Sequence, residues 1–121
     1  MTTFTDKIKS GVGAVLLATE VSFDPTQVSA GTGVILPKGA VITGITSLGG
    51  ATGGTNPTVD IGTAGTSDLF GPELDADTPG IGTLGAGAYI ALTADTEVFA
   101  GVGASAATGG TCVALIQYYR T

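Results

Sequence analysis

The sequence predicts an all-β fold, an antiparallel β-sandwich. Short runs of apolar and β-branched residues alternate with turns rich in glycine and threonine, which is typical of closely spaced strands. The chain lacks the three-to-four-residue apolar periodicity of helices. Its 121 residues suit one domain, and mean hydropathy of +0.46 with 12% charged residues disfavours a disordered chain.

The elements follow in order from the amino terminus. Residues 1–11 hold Phe4 between two threonines and are predicted to form an N-terminal arm or edge strand. Residues 12–121 are predicted to form a single β-sandwich domain. Its strands are expected at residues 12–23, 33–36, 40–48, 58–63, 86–92, 96–102 and 111–119.

The connections carry a short internal repeat. ATGGT at residues 51–55 recurs at residues 107–111. Paired glycines allow the positive φ values of tight reversals. We therefore expect one hairpin joining strands 40–48 and 58–63 and another joining strands 96–102 and 111–119. The glycine-threonine stretch after Thr63 is interpreted as a strand connection, and residues 64–85 as a long acidic surface loop.

The predicted core is lean. With four Phe, three Tyr, no Trp and 21 Gly, the chain has little to bury, so oligomerisation or docking would supply the missing buried surface. The only cysteine, Cys112, is expected to be a buried small hydrophobe. The residues predicted to be buried are Val15, Leu17, Val41, Ile45, Ile61, Ile90, Leu92, Val98, Val113 and Leu115.

The charge of the chain argues against two classes of partner. The formal net charge is −6, and the four cations are Lys7, Lys9, Lys38 and Arg120. Nucleic-acid binding depends on many neutralised phosphates, so a nucleic-acid partner is excluded. An anionic membrane is disfavoured on the same grounds. No apolar run reaches the length of a spanning helix, and synthesis in a cytoplasm is expected.

Catalytic, cofactor and metal chemistry are poorly supported. The chain has no histidine, the commonest general base. Residues 80–85 and 101–106 match glycine-rich nucleotide motifs but lack the preceding strand and following helix that such sites need, so no cofactor is expected. The acidic loop does not have EF-hand spacing, and a solvated acidic surface is favoured over a metal site. Its carboxylates are Asp68, Glu73, Asp75 and Asp77.

Three stretches carry a family resemblance. Residues 36–43 (LPKGAVIT) and 58–64 (TVDIGTA), with the glycine turn before a final strand ending in aromatics, resemble small virion proteins of tailed bacteriophages. The resemblance covers residues 33–70 and 96–119. It implies a capsid cement, or decoration, protein or a related head accessory protein. Such proteins are commonly β-sandwich or jelly-roll-like homotrimers without catalytic residues.

The resemblance implies a structural virion protein made in the host cytoplasm. It would bind the outer capsid surface and bridge neighbouring major capsid subunits. The open alternatives are a surface or secreted β-sandwich module binding a ligand such as sugar, a phage tail or head-fibre accessory protein, and a small carboxylate enzyme. An equally weighted alternative for the C-terminal tyrosine pair is that one tyrosine packs inside the sandwich and the other lies on the surface. The candidate interface residues are Phe4, Lys7, Lys9, Tyr118, Tyr119 and Arg120.

Overall fold

A computed structural model describes residues 15–120. These residues form eight strands, and no helix among them is long and apolar enough to cross a membrane. The strands are β1 (Leu16–Phe23), β2 (Ala30–Leu36), β3 (Ala40–Thr52), β4 (Thr58–Gly62), β5 (Gly71–Asp75), β6 (Gly80–Ile81), β7 (Thr96–Val102) and β8 (Gly109–Arg120).

The strands form two antiparallel four-stranded sheets. The first sheet has the order β1-β8-β3-β6 and the second the order β2-β7-β4-β5. One buried cluster joins Ile45 and Ile116 of the first sheet to Ile61 and Val98 of the second, and Phe70 between β4 and β5 belongs to the same cluster. The predicted all-β sandwich is confirmed. Residues 1–11, predicted as an arm or edge strand, lie outside the described residues.

Both predicted hairpins are wrong. Strand β3 pairs with β8 and β6, while β4 pairs with β7 and β5. The connection from β3 to β4 therefore crosses between sheets, as does the connection from β7 to β8. Sheets in a sandwich lie about 10 Å apart, and a connection of a few residues can span that distance as easily as it can reverse a strand.

The two ATGGT copies meet in space although each connection crosses the sandwich. Strand β3 ends where β8 begins, with Thr52 opposite Gly109, and Thr108 N donates to Thr52 O at 2.9 Å. Gly53, Gly54 and Gly110 have φ values of 71°, 76° and 87°. The predicted positive φ is therefore confirmed for three of the four glycines of the repeat, with Gly53 and Gly54 in the crossover from β3 to β4 and Gly110 at the start of β8.

Two further predicted segments change. Strands β5 and β6 both lie within the predicted loop of residues 64–85. Strand β5 is at a sheet edge, where a strand pairs on one side only and so tolerates Pro72. Residues 86–92 are not a strand. Tyr89 has a φ of 62°, and isolated backbone hydrogen bonds link its segment to β3 in place of a ladder, such as Tyr89 N to Ile42 O at 2.9 Å.

The core prediction is partly confirmed. Val41, Ile45, Ile61 and Val98 are buried, and so is Cys112, whose burial raises the pKa of its thiol to about 11. The other predicted core residues are exposed or half-buried, namely Val15, Leu17, Ile90, Leu92, Val113 and Leu115.

The error in β8 is one of phase. Cys112, Ala114 and Ile116 are buried, whereas the alternate residues Val113 and Leu115 are half-buried. Strand β8 is apolar at both parities. Side-chain alternation therefore could not reveal which face of the strand is turned towards the second sheet.

Candidate functional site

Exposed apolar side chains gather at one end of the first sheet. Strand register places Leu16 opposite Tyr119, which lies opposite Val41, and places Leu17 opposite Tyr118. Of the nine large apolar side chains exposed within residues 15–120, five lie here, so the exposure is concentrated. We name as the apolar end Val15, Leu16, Leu17, Tyr89, Ile90, Tyr118 and Tyr119.

The segment after β6 completes this end. Gly82 N donates to Ile45 O at 2.8 Å, Tyr89 N to Ile42 O, and Leu92 N to Ala40 O, both at 2.9 Å. The segment therefore follows the outer edge of β3 towards the start of that strand. This path brings Tyr89, 68% exposed, and Ile90, 62% exposed, beside the beginning of β3.

Cations lie at the rim of the apolar end. Arg120 is exposed and pairs with Ala40, and Lys38 lies in the adjoining turn before β3. These are the two cations of the described residues. Asp95 lies beside them, where its carboxylate accepts a hydrogen bond from Lys38 N at 2.8 Å. The end therefore offers an apolar surface with a basic rim.

Three predicted site residues meet at the apolar end. Tyr118 packs against the core cluster, whereas Tyr119 lies on the other face of the strand, and Arg120 is exposed. The two tyrosines therefore lie on opposite faces of β8, with Tyr118 towards the core, and both are half-buried. The predicted Phe4, Lys7 and Lys9 lie outside the described residues.

The sequence reasoning missed Leu16, Tyr89 and Ile90. A signal was present for the first, because Val15, Leu16 and Leu17 are three consecutive apolar residues. Successive strand side chains point to opposite faces, so such a run must expose at least one of them unless both faces are covered.

A polar cluster lies on the outer face of the second sheet. Thr58 Oγ1 donates to Glu73 Oε2 at 2.7 Å, and Ala104 N donates to the same carboxylate at 3.0 Å. Glu73 N donates to Asp60 Oδ1 at 2.8 Å. Glu73 has a φ of 51°, which the surrounding hydrogen bonds support. The cluster fastens β5 to β4 and to the loop after β7.

The two carboxyl groups of this cluster titrate differently. The Thr58 hydroxyl, and then the Ala104 N–H, lower the pKa of Glu73. Partial burial raises the pKa of Asp60, against the opposing hydrogen bond from Glu73 N. Within residues 15–120 no three acidic or cysteine side chains lie close enough together to hold a metal ion. The hydrogen bonds of the cluster make it a structural link between β4, β5 and the loop after β7.

We expect Thr58→Val to lower stability most above about pH 5. A depressed pKa means that ionised Glu73 contributes stability above its unfolded pKa, and that this contribution is lost as the pH falls through the folded pKa. The variant removes the main cause of the depression. The raised pKa of Asp60 acts in the opposite sense, through stability lost as pH rises, and Thr58→Val leaves Asp60 in place.

The measurement is the melting temperature of wild type and variant between about pH 3 and 6, a range that spans the ordinary pKa of Glu. Thr58→Ser, which keeps the hydroxyl, is the matched control. A difference between wild type and Thr58→Val that stays constant over this range would contradict the assignment.

Comparisons with known proteins identify fold relatives. No family model and no curated protein sequence matches the chain. A chain of the cyanophage Pam1 capsid asymmetric unit is similar, with 23% identity and a TM-score of 0.64 over 90% of this chain and 87% of that one. A chain of the acid-stable capsid structure of Helicobacter pylori bacteriophage KHP30 has 16% identity and a TM-score of 0.56, over 87% of both chains. At these identities the likeness shows a shared fold.

Proposed function

We propose that this protein is a structural component of a phage virion. It binds the outer surface of the capsid and bridges neighbouring major capsid subunits, without enzymatic turnover. The observation that carries the proposal is the fold likeness to chains of two phage capsids, over 87% or more of each chain. The strand orders β1-β8-β3-β6 and β2-β7-β4-β5 also support the jelly-roll fold that the family resemblance implies.

The apolar end is the contact surface in this proposal. Leu16 and Val15 are each 62% exposed, with Tyr119 between Leu16 and Val41 in the same row. A contiguous exposed apolar patch marks an interaction site, and tyrosine and arginine are enriched among the residues that carry most of the binding energy. The basic rim favours a partner surface that is apolar with acidic edges, because opposite charges steer the encounter and fix its register.

The remaining surface is suited to solvent. Carboxylates such as Asp24 and Asp77 are exposed at the opposite end of the first sheet. An acidic outer surface also discourages contact with nucleic acid. In a homotrimer each copy would present one apolar end, and several weak contacts held together raise the overall affinity without any new contact.

The test compares two matched substitutions in capsid binding. Leu16 of β1 is 62% exposed and Ile35 of β2 is 63% exposed, and both strands lie at a sheet edge. Capsids lacking the protein are mixed with wild type, Leu16→Asn or Ile35→Asn, and the bound fraction is measured against concentration. We expect Leu16→Asn to weaken binding about tenfold, since burying a leucine is worth about 1.5–3 kcal/mol. Ile35→Asn should bind as wild type does.

A second readout tests the bridging itself. Capsids decorated with wild-type protein should rupture at a higher temperature than bare capsids, and Leu16→Asn should shift this temperature back at equal added concentration. Equal rupture temperatures for bare and decorated capsids would exclude a cement role. If both variants bound as tightly as wild type, the contact surface would have to lie outside the apolar end.

A further inference from the structure

Strand β1 has one unused edge among the described residues. It pairs along its whole length with β8, from Leu16 opposite Tyr119 to Phe23 opposite Cys112, and it is the outermost strand of the first sheet. Strand β2 is likewise outermost on the same side of the second sheet. The row of backbone N–H and C=O groups along β1 is a template for another strand.

A cavity of about 260 Å³ opens between these two edges, at the end of β1 far from the apolar end. Its walls are both apolar and polar, with Phe23, Val28 and Ala100 beside Ser22 and Asp24. Phe23 is half-buried and packs against the core cluster. The volume suits one aromatic side chain, and the Asp24 carboxylate at the wall suits a polar or cationic neighbour.

We propose that residues 4–12 of a second copy of this chain add to the free edge of β1 as an antiparallel strand, with Phe4 seated over the cavity. The proposal deepens the proposed function, and rests on it, by naming what holds the copies together. It belongs to the known mode of recognition in which an extended segment completes an exposed sheet edge.

The register follows from the cavity. With Phe4 opposite Phe23, Lys7 lies directly opposite Glu20 and Ile8 lies opposite Thr19. Glu20 pairs with Leu115 on the outer face, so Lys7 meets an exposed carboxylate where opposite charges stabilise a cross-strand pair. A single register therefore places Phe4 over the cavity and Lys7 beside the carboxylate of Glu20.

The alternation in the added strand agrees with this register. Phe4 and Ile8 fall on the face of Val21 and Phe23, which is turned towards the second sheet, while Thr5, Lys7 and Lys9 fall on the outer face. Asp6 is the exception on the inner face. Inward-pointing charge is a feature by which edge strands resist further pairing, and at the rim the carboxylate reaches water.

The length of chain before β1 is sufficient. Nine residues of strand cover about 30 Å, which matches the eight residues of β1 with its flanking positions. Folding back on the same chain would use Gly13 and Ala14 as a two-residue reversal. If this short hinge opens, the same segment pairs in the same register with β1 of another copy instead of its own.

Exchange is favoured by what it does to the apolar end. In this register, residue 12 of the donor lies opposite Val15 of the acceptor, so the two apolar ends come side by side. Val15 and Leu16, each 62% exposed, then contribute to a joint surface where the two copies adjoin. A segment folded back on its own chain leaves each apolar end alone.

The experiment is disulfide trapping in the full-length protein. Thr5 and Ser22 lie opposite each other on the outer face in this register, and Ser22 is exposed. The Thr5→Cys, Ser22→Cys double variant is oxidised mildly and its mass is measured without reductant. Cys112 stays in place in all variants, because a buried thiol with a pKa of about 11 is unreactive near neutral pH.

We expect covalent species of two and three chains, in at least tenfold excess over the matched pair Thr5→Cys, Ile35→Cys, whose second cysteine lies on the exposed edge of β2. Each single-cysteine variant is oxidised in parallel, to measure and subtract pairing between like cysteines. Phe4→Ala should reduce the solution mass measured by light scattering.

Two outcomes overturn the proposal. A disulfide confined to single chains shows that the segment folds on its own β1. No selective disulfide shows that the β1 edge is not its site. Either outcome is compatible with weaker capsid binding by Leu16→Asn. In that case the proposed function would be supported and strand exchange would be excluded. Trapped oligomers that do not bind capsids would support strand exchange and contradict the proposed function.

Discussion

Replacing Ile116 with alanine is expected to lower the free energy of unfolding by about 2–5 kcal/mol. Ile116 is fully buried in the middle strand β8, between Thr19 of β1 and Ile45 of β3. The substitution removes apolar contacts and leaves a cavity that the surrounding side chains can fill only if the two packed sheets shift towards each other. Denaturant unfolding followed by a spectroscopic signal would measure the change.

Leu115→Ala is the matched control on the adjacent residue. Leu115 is half-buried on the outer face, opposite Glu20 and Thr46, so its truncation should cost about 1 kcal/mol or less. If Leu115→Ala proved the more destabilising of the two, the phase of β8 would be inverted relative to the structure.

Gly62→Ala is expected to destabilise the fold by about 3 kcal/mol. Gly62 ends β4 and is buried beneath the connection that follows. An added Cβ would lie 2.6 Å from Ser67 C and 2.7 Å from Leu69 N, and would also contact Thr66 O. These are backbone atoms held by hydrogen bonds from Thr63 N and Leu69 N to Thr66 O, so the connection must shift as a unit.

Gly65→Ala is the control in the same connection. An added Cβ at Gly65 meets no atom within 4 Å, so its melting temperature should stay within about 2 °C of wild type, as for an ordinary surface change. Comparable destabilisation by both variants would mean that the connection as a whole, and not the space above Gly62, limits stability. The connection is thus a tightly packed strand linkage, in agreement with the interpretation made from the sequence.

The sequence alone determined the fold class and several local features. Glycine-punctuated apolar runs without helical periodicity can bury themselves only as paired strands, so the sandwich followed. The positive φ of Gly53, Gly54 and Gly110 followed from the ATGGT repeat, because glycine carries no Cβ penalty there. The burial of Cys112 followed from its apolar run. These features depend on residues close in sequence.

Tertiary structure alone decided the pairing of strands, the phase of β8 and the location of the apolar end. A short connection such as residues 53–57 is compatible with a hairpin or with a crossing to the other sheet, and only the pairing of β3 with β8 distinguishes them. A strand apolar on both faces does not specify which face is inside. Leu16, Tyr119 and Tyr89 are far apart in sequence and lie at the same end of the first sheet, because β1 begins there, β8 ends there and the segment beside β3 passes there. Such a surface is set by long-range pairing, which no local pattern encodes.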